Sequence, residues 1–224
     1  MNSENRAYLK VIQYIRKQLE TEQVAIGKKL PTERELADIL GLSRNSIREA
    51  LRTMENMGLL ESRQGSGNYL TGNLQKSFTD SFSMMLLSKQ VDYLEISQLR
   101  RGIEQQALAL AMNRITPNEL LCLQDILNNM AQAPCKEESL WDKKFHDAII
   151  AASKNRLMIH IMQALSVVCE EVIAYNRKQS NQEVLWQAHQ NIYLSLLTKD
   201  FHLGSKSLTE HYDLVDKGLQ PGKP

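Results

Sequence analysis

Neither sign of charge is in excess in this chain. It carries 27 Lys and Arg against 26 Asp and Glu, a formal net charge of +1. That balance excludes a polycationic wrapper of nucleic acid, and no acidic tail is present. Cysteine is scarce and unpatterned: Cys122, Cys135 and Cys169 make an odd number with no CxxC spacing. A disulfide scaffold is excluded, and metal ligation is only a second reading for these thiols. The three are expected to be buried thiols in a reducing compartment. No apolar run approaches the roughly 18 residues of a membrane span, and the N-terminus, MNSENRAYLK, is polar. The expectation is a soluble, cytoplasmic protein without membrane partners. What is present is a 42% apolar content over 224 residues, which suits packed helices and gives room for one small and one medium domain.

The most informative stretch is LPTERELADILGLSRNSIREALRTMENMGLLESRQGSGNYL, residues 30–70. Thr32 and Glu35 have capping-box spacing, so each side chain can satisfy an orphan amide at a helix start. Leu36, Ile39 and Leu40 give that helix an apolar side, and Gly41 stops it. Leu42 reads as a buried plug, and Ser43 can cap a second helix running to about Met57, with Ile47, Leu51 and Met54 on its apolar side. Gly58 ends this helix. Leu59–Ser62 and Asn68–Thr71 read as two strands joined by the basic, glycine-rich tip Arg63–Gly67. Residues 6–20 add an amphipathic helix with Tyr8, Val11, Ile12, Ile15 and Leu19 on one side. Together these predict a winged helix-turn-helix whose second helix enters a DNA major groove.

The DNA case rests on placement rather than on bulk charge, because residues 1–72 carry a net charge of only +2 and the remainder −1. Arg34, Arg44 and Arg48 are the expected DNA contacts. Arg44 stands at the start of the recognition helix, where a guanidinium fork can pair two acceptors of guanine. Ser43, Asn45 and Ser46 are short polar groups at the same end. Gln64, Gly65 and Gly67 form a wing tip slim enough to approach a minor groove. The stretch closely resembles the DNA-binding domain of GntR-type bacterial regulators, whose pattern LPSERELA..LGVSR..VREAL..L...GL....QGSG it matches along nearly its whole length. By that resemblance, Arg34, Ser43, Arg44, Gly65 and Gly67 fall on positions the family uses for DNA.

Gly72 and Asn73 mark the expected boundary between a DNA-binding domain, 1–72, and a second domain, 73–224. From Leu74 to Gly218 the pattern is helix after helix, over about 77–88, 92–114, 117–132, 137–153, 155–178, 182–199 and 201–217. Breaks fall at Asp92, Thr116-Pro117, Ala133-Pro134, Ser153–Asn155, Ser180-Asn181 and Asp200. The fold class is therefore mainly α: a winged helix-turn-helix followed by an all-α bundle of about seven helices.

Helical phase divides the five histidines of the bundle. At about 100° per residue, His211 lies amid Gly204, Ser207, Leu208, Leu214 and Val215, and His189 on the stripe of Leu185, Ile192 and Leu196. Asp142 and His146, one turn apart, flank the stripe of Trp141, Phe145, Ile149 and Ala152. His160 and His202 point away from their stripes. An inward histidine is compatible with a hydrogen-bonded core residue, and an i, i+4 Asp–His pair with a simple side-chain contact. Four such groups in one bundle are costly to bury unpaired. A divalent transition metal would satisfy Asp142, His146, His189 and His211 at once, with Zn²⁺ favoured and Ni²⁺ or similar possible.

Asp142–His146 as D-x-x-F-H, the following Ser153-Lys154-Asn155, and the closing series His189, Asp200, Gly204, Leu208 and His211 resemble the FCD effector domain of the FadR branch of GntR regulators. Metal-binding members use one Asp and three His, and all four positions are filled here. Gly204 stands for the usual alanine and Leu208 for the methionine. Arg100 reads as part of the stripe Ile96, Leu99, Ile103, Ala107 and Leu110, with Arg101 pointing outward. A buried arginine needs an anion, which Glu104 one turn on or a ligand carboxylate can supply. Asn155 is a second candidate for effector binding, with a helix cap as its alternative role. The resemblance implies a non-enzymatic regulator, a repressor, acting as a homodimer on pseudo-palindromic operator DNA and answering to a small organic or sugar acid. Two alternatives are a DNA-binding dimer with a purely structural bundle, and a zinc hydrolase. The hydrolase would need an inward general base, and none is evident beside the four.

Overall fold

A computed structural model of the chain describes residues 3–22, 24–71, 75–134, 137–177 and 182–219. It divides into two compact units, Met1–Ser77 and Phe78–Pro224. The expected boundary at Gly72 and Asn73, the break at Ser180-Asn181 and Cys135 lie outside the described residues.

In the first unit α1 (Ser3–Glu20) packs on α3 (Arg44–Asn56), with α2 (Glu33–Leu40) set against α3. The expected capping box at α2 is present: Thr32 Oγ1 accepts from the Glu35 amide while Glu35 accepts from the Thr32 amide. Gly41, left-handed at φ 63°, closes the helix, and Ser43 accepts from the Ser46 amide to open α3. The core joins Val11 and Ile15 of α1 to Leu36, Ile47, Leu51 and Met54, with Leu60 and Leu70 from the wing. Strands β1 (Leu60–Arg63) and β2 (Gly67–Leu70) pair antiparallel with Leu60 opposite Leu70. Each strand is displaced by one residue from its expected span. Lys29 bridges to Tyr69 beside them, so the segment entering α2 lines the wing.

Three core expectations here are corrected. Ile39 is 55% exposed and Leu42 only half-buried. The buried face of α2 is centred between Leu36 and Ala37, and Ile39 lies about 110° around the helix from that centre. Leu19, expected on the packed side of α1, is likewise 41% exposed, and Ala7 is buried in the helix's first turns.

The second unit comprises all but the first three residues of α4 (Gln75–Leu87), then α5 (Tyr93–Arg114), α6 (Pro117–Gln132), α7 (Glu138–Ala152), α8 (Arg156–Arg177), α9 (Gln182–Thr198) and α10 (Phe201–Lys217). Every expected helix is found with ends within about two residues, because the punctuation acts locally. Asp92 with Glu95, and Thr116 with Glu119, form capping boxes, and Asp200 caps α10. One hydrophobic cluster joins α5, α6, α7, α9 and α10 around Phe145, Leu108, Leu127 and Ile192; a second joins α5, α7 and α8 around Ile150 and Leu165.

Helix α5 packs against α7, α8, α9 and α10, and its buried face differs from the expected stripe. Ile96, Ser97, Arg100, Glu104, Ala107, Leu108, Ala111 and Met112 are buried, whereas Leu99 is 47% exposed. Arg100 and Glu104 thus sit at the centre of the buried face, not at its apolar edge. Arg101 does not point to solvent: it pairs with Asp213, at 2.5 Å, and Asp216 on α10, while Ser97 donates to Asp216 at 2.5 Å. Gln105 donates to the Ser205 carbonyl and to Thr209 on the same helix. This run of polar contacts fixes α10 along α5. Of the thiols, Cys169 is buried as expected but Cys122 is exposed, being on the solvent side of α6.

Candidate functional site

Two groups of residues carry the chemistry, one in each unit. In the first unit, Arg34, Arg44 and Asn45 are exposed, and neither arginine has a hydrogen bond or ion pair among the described residues. Their guanidinium groups are therefore available to an external anion or base edge. Arg48 is held differently, donating from Nε and Nη2 to Glu33 at 2.9–3.2 Å. The hydrogen bond and charge of Glu33 push its pKa upward. Ser43 and Ser46 lie within 2.9 Å at the start of α3, with Ser43 also acting as the cap.

At the wing tip Gln64 and Gly65 are exposed and Gly65 is left-handed, φ 70°. Gly67 also has positive φ, and a Cβ there would meet Lys29 Cε at 2.8 Å. Two basic residues that the reading for DNA contacts passed over share this surface. Arg63 lies 4.2 Å from the Tyr69 ring centre and pairs with Glu61, and Lys29 lies across Gly67. Arg63 was visible as the first residue of the wing tip; Lys29 required the bridge to Tyr69 to be seen.

The second group lies inside the bundle. Asp142 and His146 come from α7, His189 from α9 and His211 from α10, each at most 6% exposed. Each offers one donor atom, and the four donors lie within 4.8 Å of one another. His189 Nε2 is 3.0 Å from Asp142 Oδ1, and His146 Nε2 is 3.6 Å from that oxygen and 3.4 Å from His189 Nε2. The His211 ring is centred 4.6 Å from His146 and 4.8 Å from His189. His160 is half-buried and His202 exposed; neither belongs to the cluster.

Metal bonds of 2.0–2.2 Å place neighbouring donors of one ion about 3.0–3.6 Å apart, which matches the separations among Asp142, His146 and His189. Three imidazole nitrogens and one carboxylate oxygen make a donor set for a transition metal rather than for Ca²⁺ or Mg²⁺. The residues present therefore fit the ion that the resemblance implies.

Glu104 completes the surroundings. It is fully buried, and its carboxylate meets His146 Nδ1 on one oxygen and accepts from Tyr212 Oη at 2.7 Å on the other. Of the two anions open to Arg100, Glu104 is not a direct partner: Arg100 acts on that carboxylate through space, and its Nε has no hydrogen-bond partner. Glu104 is an inward carboxylate beside the four, and both of its oxygens are engaged, so it is not a free general base.

Burial pushes the Glu104 carboxyl upward, but His146, Tyr212 and Arg100 outweigh it and hold the group below its ordinary value. Burial alone would lower His146, yet Glu104 and Asp142 raise it to about 10. Tyr212 is driven well above its usual value by burial and Glu104, so it stays a neutral donor. Asn155, the other expected effector contact, uses its Oδ1 to accept from the Leu157 and Met158 amides and so caps α8.

A winged helix-turn-helix unit followed by an all-helical unit defines a DNA-binding transcriptional regulator. Residues 7–70 match the model of bacterial regulatory proteins of the gntR family, and residues 95–214 match the FCD domain. The chain belongs to the GntR family, in the FadR branch that carries an FCD domain. The HTH-type transcriptional regulator LutR of Bacillus subtilis is 31% identical over 201 residues, covering 86% of this chain and 92% of LutR. The Exu regulon transcriptional regulator of Escherichia coli K12 is 24% identical, covering 93% of this chain and 82% of its own length. A solved GntR structure from Streptococcus agalactiae shares the fold, with a TM-score of 0.70 at 23% identity over 94% of this chain and 99% of that one.

Proposed function

We propose that the chain is a ligand-responsive repressor in which residues 1–72 read an operator and residues 73–224 sense a small acid through a bound metal. The observation that carries this reading is the convergence of Asp142, His146, His189 and His211 from three helices into one buried donor set. In this reading Zn²⁺, or Ni²⁺ or a similar ion, is held by those four side chains. The ion supplies a Lewis-acidic position for a carboxylate, and Arg100 meets the same carboxylate from α5. The unpartnered Nε of Arg100 supports that role. The effector contact rests on Arg100 alone, since the Asn155 oxygen is engaged at a helix cap.

Two copies would form a homodimer that spans a pseudo-palindromic operator. Arg44 would read a base edge, and Arg34, Ser43, Asn45, Ser46, Arg48, Gln64, Gly65 and Gly67 would contact backbone or groove. The effector is an organic or sugar acid, the protein acts in the cytoplasm, and it has no enzymatic turnover. No described helix is long and apolar enough to cross a membrane.

Metal analysis of the purified full-length protein tests the reading: one equivalent per chain is expected, falling to background in His189→Ala while that variant still binds DNA non-specifically. A wild-type protein that neither contains metal nor loses thermal stability on chelation would instead favour a bundle that only dimerises.

A further inference from the structure

We propose that Glu104 is a positioning residue for the metal, the outer member of a carboxylate–histidine–metal triad, and that Tyr212 locks it in place. The proposal rests on reading the four-residue cluster as a metal centre. Glu104 stands in the middle of α5, 42 residues before His146 in sequence, and is 0% exposed. A carboxylate in that position is strongly disfavoured unless its oxygens are engaged. One meets His146 Nδ1, and the other accepts from Tyr212 Oη at 2.7 Å.

In the neutral form that binds an ion, with Nδ1–H donated to Glu104, the lone pair of His146 is on Nε2. Nε2 is the atom that faces Asp142 Oδ1 at 3.6 Å and His189 Nε2 at 3.4 Å. Glu104 therefore selects the tautomer that points a lone pair into the cluster, and it fixes the plane of the ring. Tyr212 is the residue after His211 on α10. One carboxylate thus ties the orientation of a ligand on α7 to the helix that supplies another ligand. Arg100, one turn before Glu104, balances its charge through space without taking either oxygen. Outer partners of this kind typically set metal affinity by about 10- to 100-fold.

The test uses the full-length protein at one fixed pH. Zn²⁺ affinity is measured by competition with a chromophoric chelator, and the visible absorption of the Co²⁺-loaded protein reports ligand geometry. Glu104→Ala is expected to bind Zn²⁺ about 10- to 100-fold more weakly and to shift the Co²⁺ bands. Glu104→Gln, whose amide oxygen can still accept from Nδ1–H, is expected to recover most of that affinity and the wild-type bands. Tyr212→Phe, which keeps the ring and loses the hydroxyl, should weaken binding several-fold with a smaller band shift.

A residue that only fills the core would alter melting temperature and leave affinity and spectrum unchanged. Wild-type affinity and spectrum in Glu104→Ala would therefore overturn the proposal. Should that variant not fold by circular dichroism, wild-type affinity and spectrum in Tyr212→Phe would overturn it instead. Failure of the underlying metal reading looks different: wild-type protein would bind no Zn²⁺, or His189→Ala would bind as tightly as wild type.

Discussion

Replacing Gly204 by alanine probes how closely the helices bearing two of the cluster residues must approach. Gly204 lies two turns before His211 on α10, and Ser195 lies just under two turns after His189 on α9. A Cβ at Gly204 would fall 2.3 Å from Ser195 Oγ, 2.9 Å from its Cβ and 3.0 Å from Leu108 Cδ2. Ser195 is 0% exposed, and its hydroxyl donates to the Ile192 carbonyl at 2.6 Å, so it has no open space to move into. An alanine in mid-helix gains about 1 kcal/mol over glycine. Against that stand overpacking of about 1–3 kcal/mol and disturbance of a buried hydrogen bond worth about 0.5–1.5 kcal/mol. The net expectation is a loss of about 1–3 kcal/mol.

In a chain of this size that loss lowers the melting temperature by roughly 2–12 °C, readable by scanning calorimetry. Because the wedge acts between α9 and α10, metal affinity should fall as well. Adding Ser195→Gly should restore part of both by removing the side chain that is struck. A Gly204→Ala protein that melts at or above the wild-type temperature would refute the argument. The glycine where the FCD pattern has alanine thus has a local cause in this chain: Ser195 and Leu108 fill the space a methyl group would need.

Other outcomes follow from the same geometry. Arg44→Ala should weaken specific operator binding by about 1–3 kcal/mol, with non-specific binding little changed; an unchanged operator Kd in a mobility-shift titration would displace the recognition helix from its assigned groove. Arg48→Ala should weaken binding less, because Glu33 already holds that guanidinium, and it should melt close to wild type because the pair is exposed. Glu119 is held below its ordinary value by hydrogen bonds from Lys154 and Thr116. A depressed carboxyl stabilises above its unfolded pKa and stops doing so as pH falls through the folded one. Glu119→Gln should therefore melt below wild type at pH 7, with the gap closing at acid pH. A gap that widens on acidification would contradict the sign.

Much of this molecule is written locally in the sequence. Thr32 with Glu35 and Thr116 with Glu119 cap helices within four residues, and Gly41 ends α2, so boundaries follow from short-range chemistry. The four-residue cluster was also legible, since helical phase alone turned Asp142, His146, His189 and His211 inward. Periodicity failed where an element is packed on several sides. On α5 the stripe through Ile96, Leu99 and Ile103 is apolar, yet the buried face centres on Arg100 and Glu104, because α7 and α10 supply His146 and Tyr212 as partners for Glu104. Glu104 could not be matched with His146 or Tyr212 from spacing, as those contacts bridge 42 and 108 positions. Ile39 and Cys122 were expected inside and are exposed, since residue type does not say which side of a helix a neighbour covers.

The central claim is that the metal centre in the bundle lets a small acid set affinity for DNA. It is tested most directly by titrating operator DNA with metal-loaded protein, with and without each member of a panel of organic and sugar acids, and repeating the titration with His189→Ala. At least one acid is expected to change the operator Kd of the loaded wild-type protein by about 5- to 150-fold, the usual span of such coupling, and to leave His189→Ala unmoved. An equal shift in both proteins, or no shift with any acid, would contradict it.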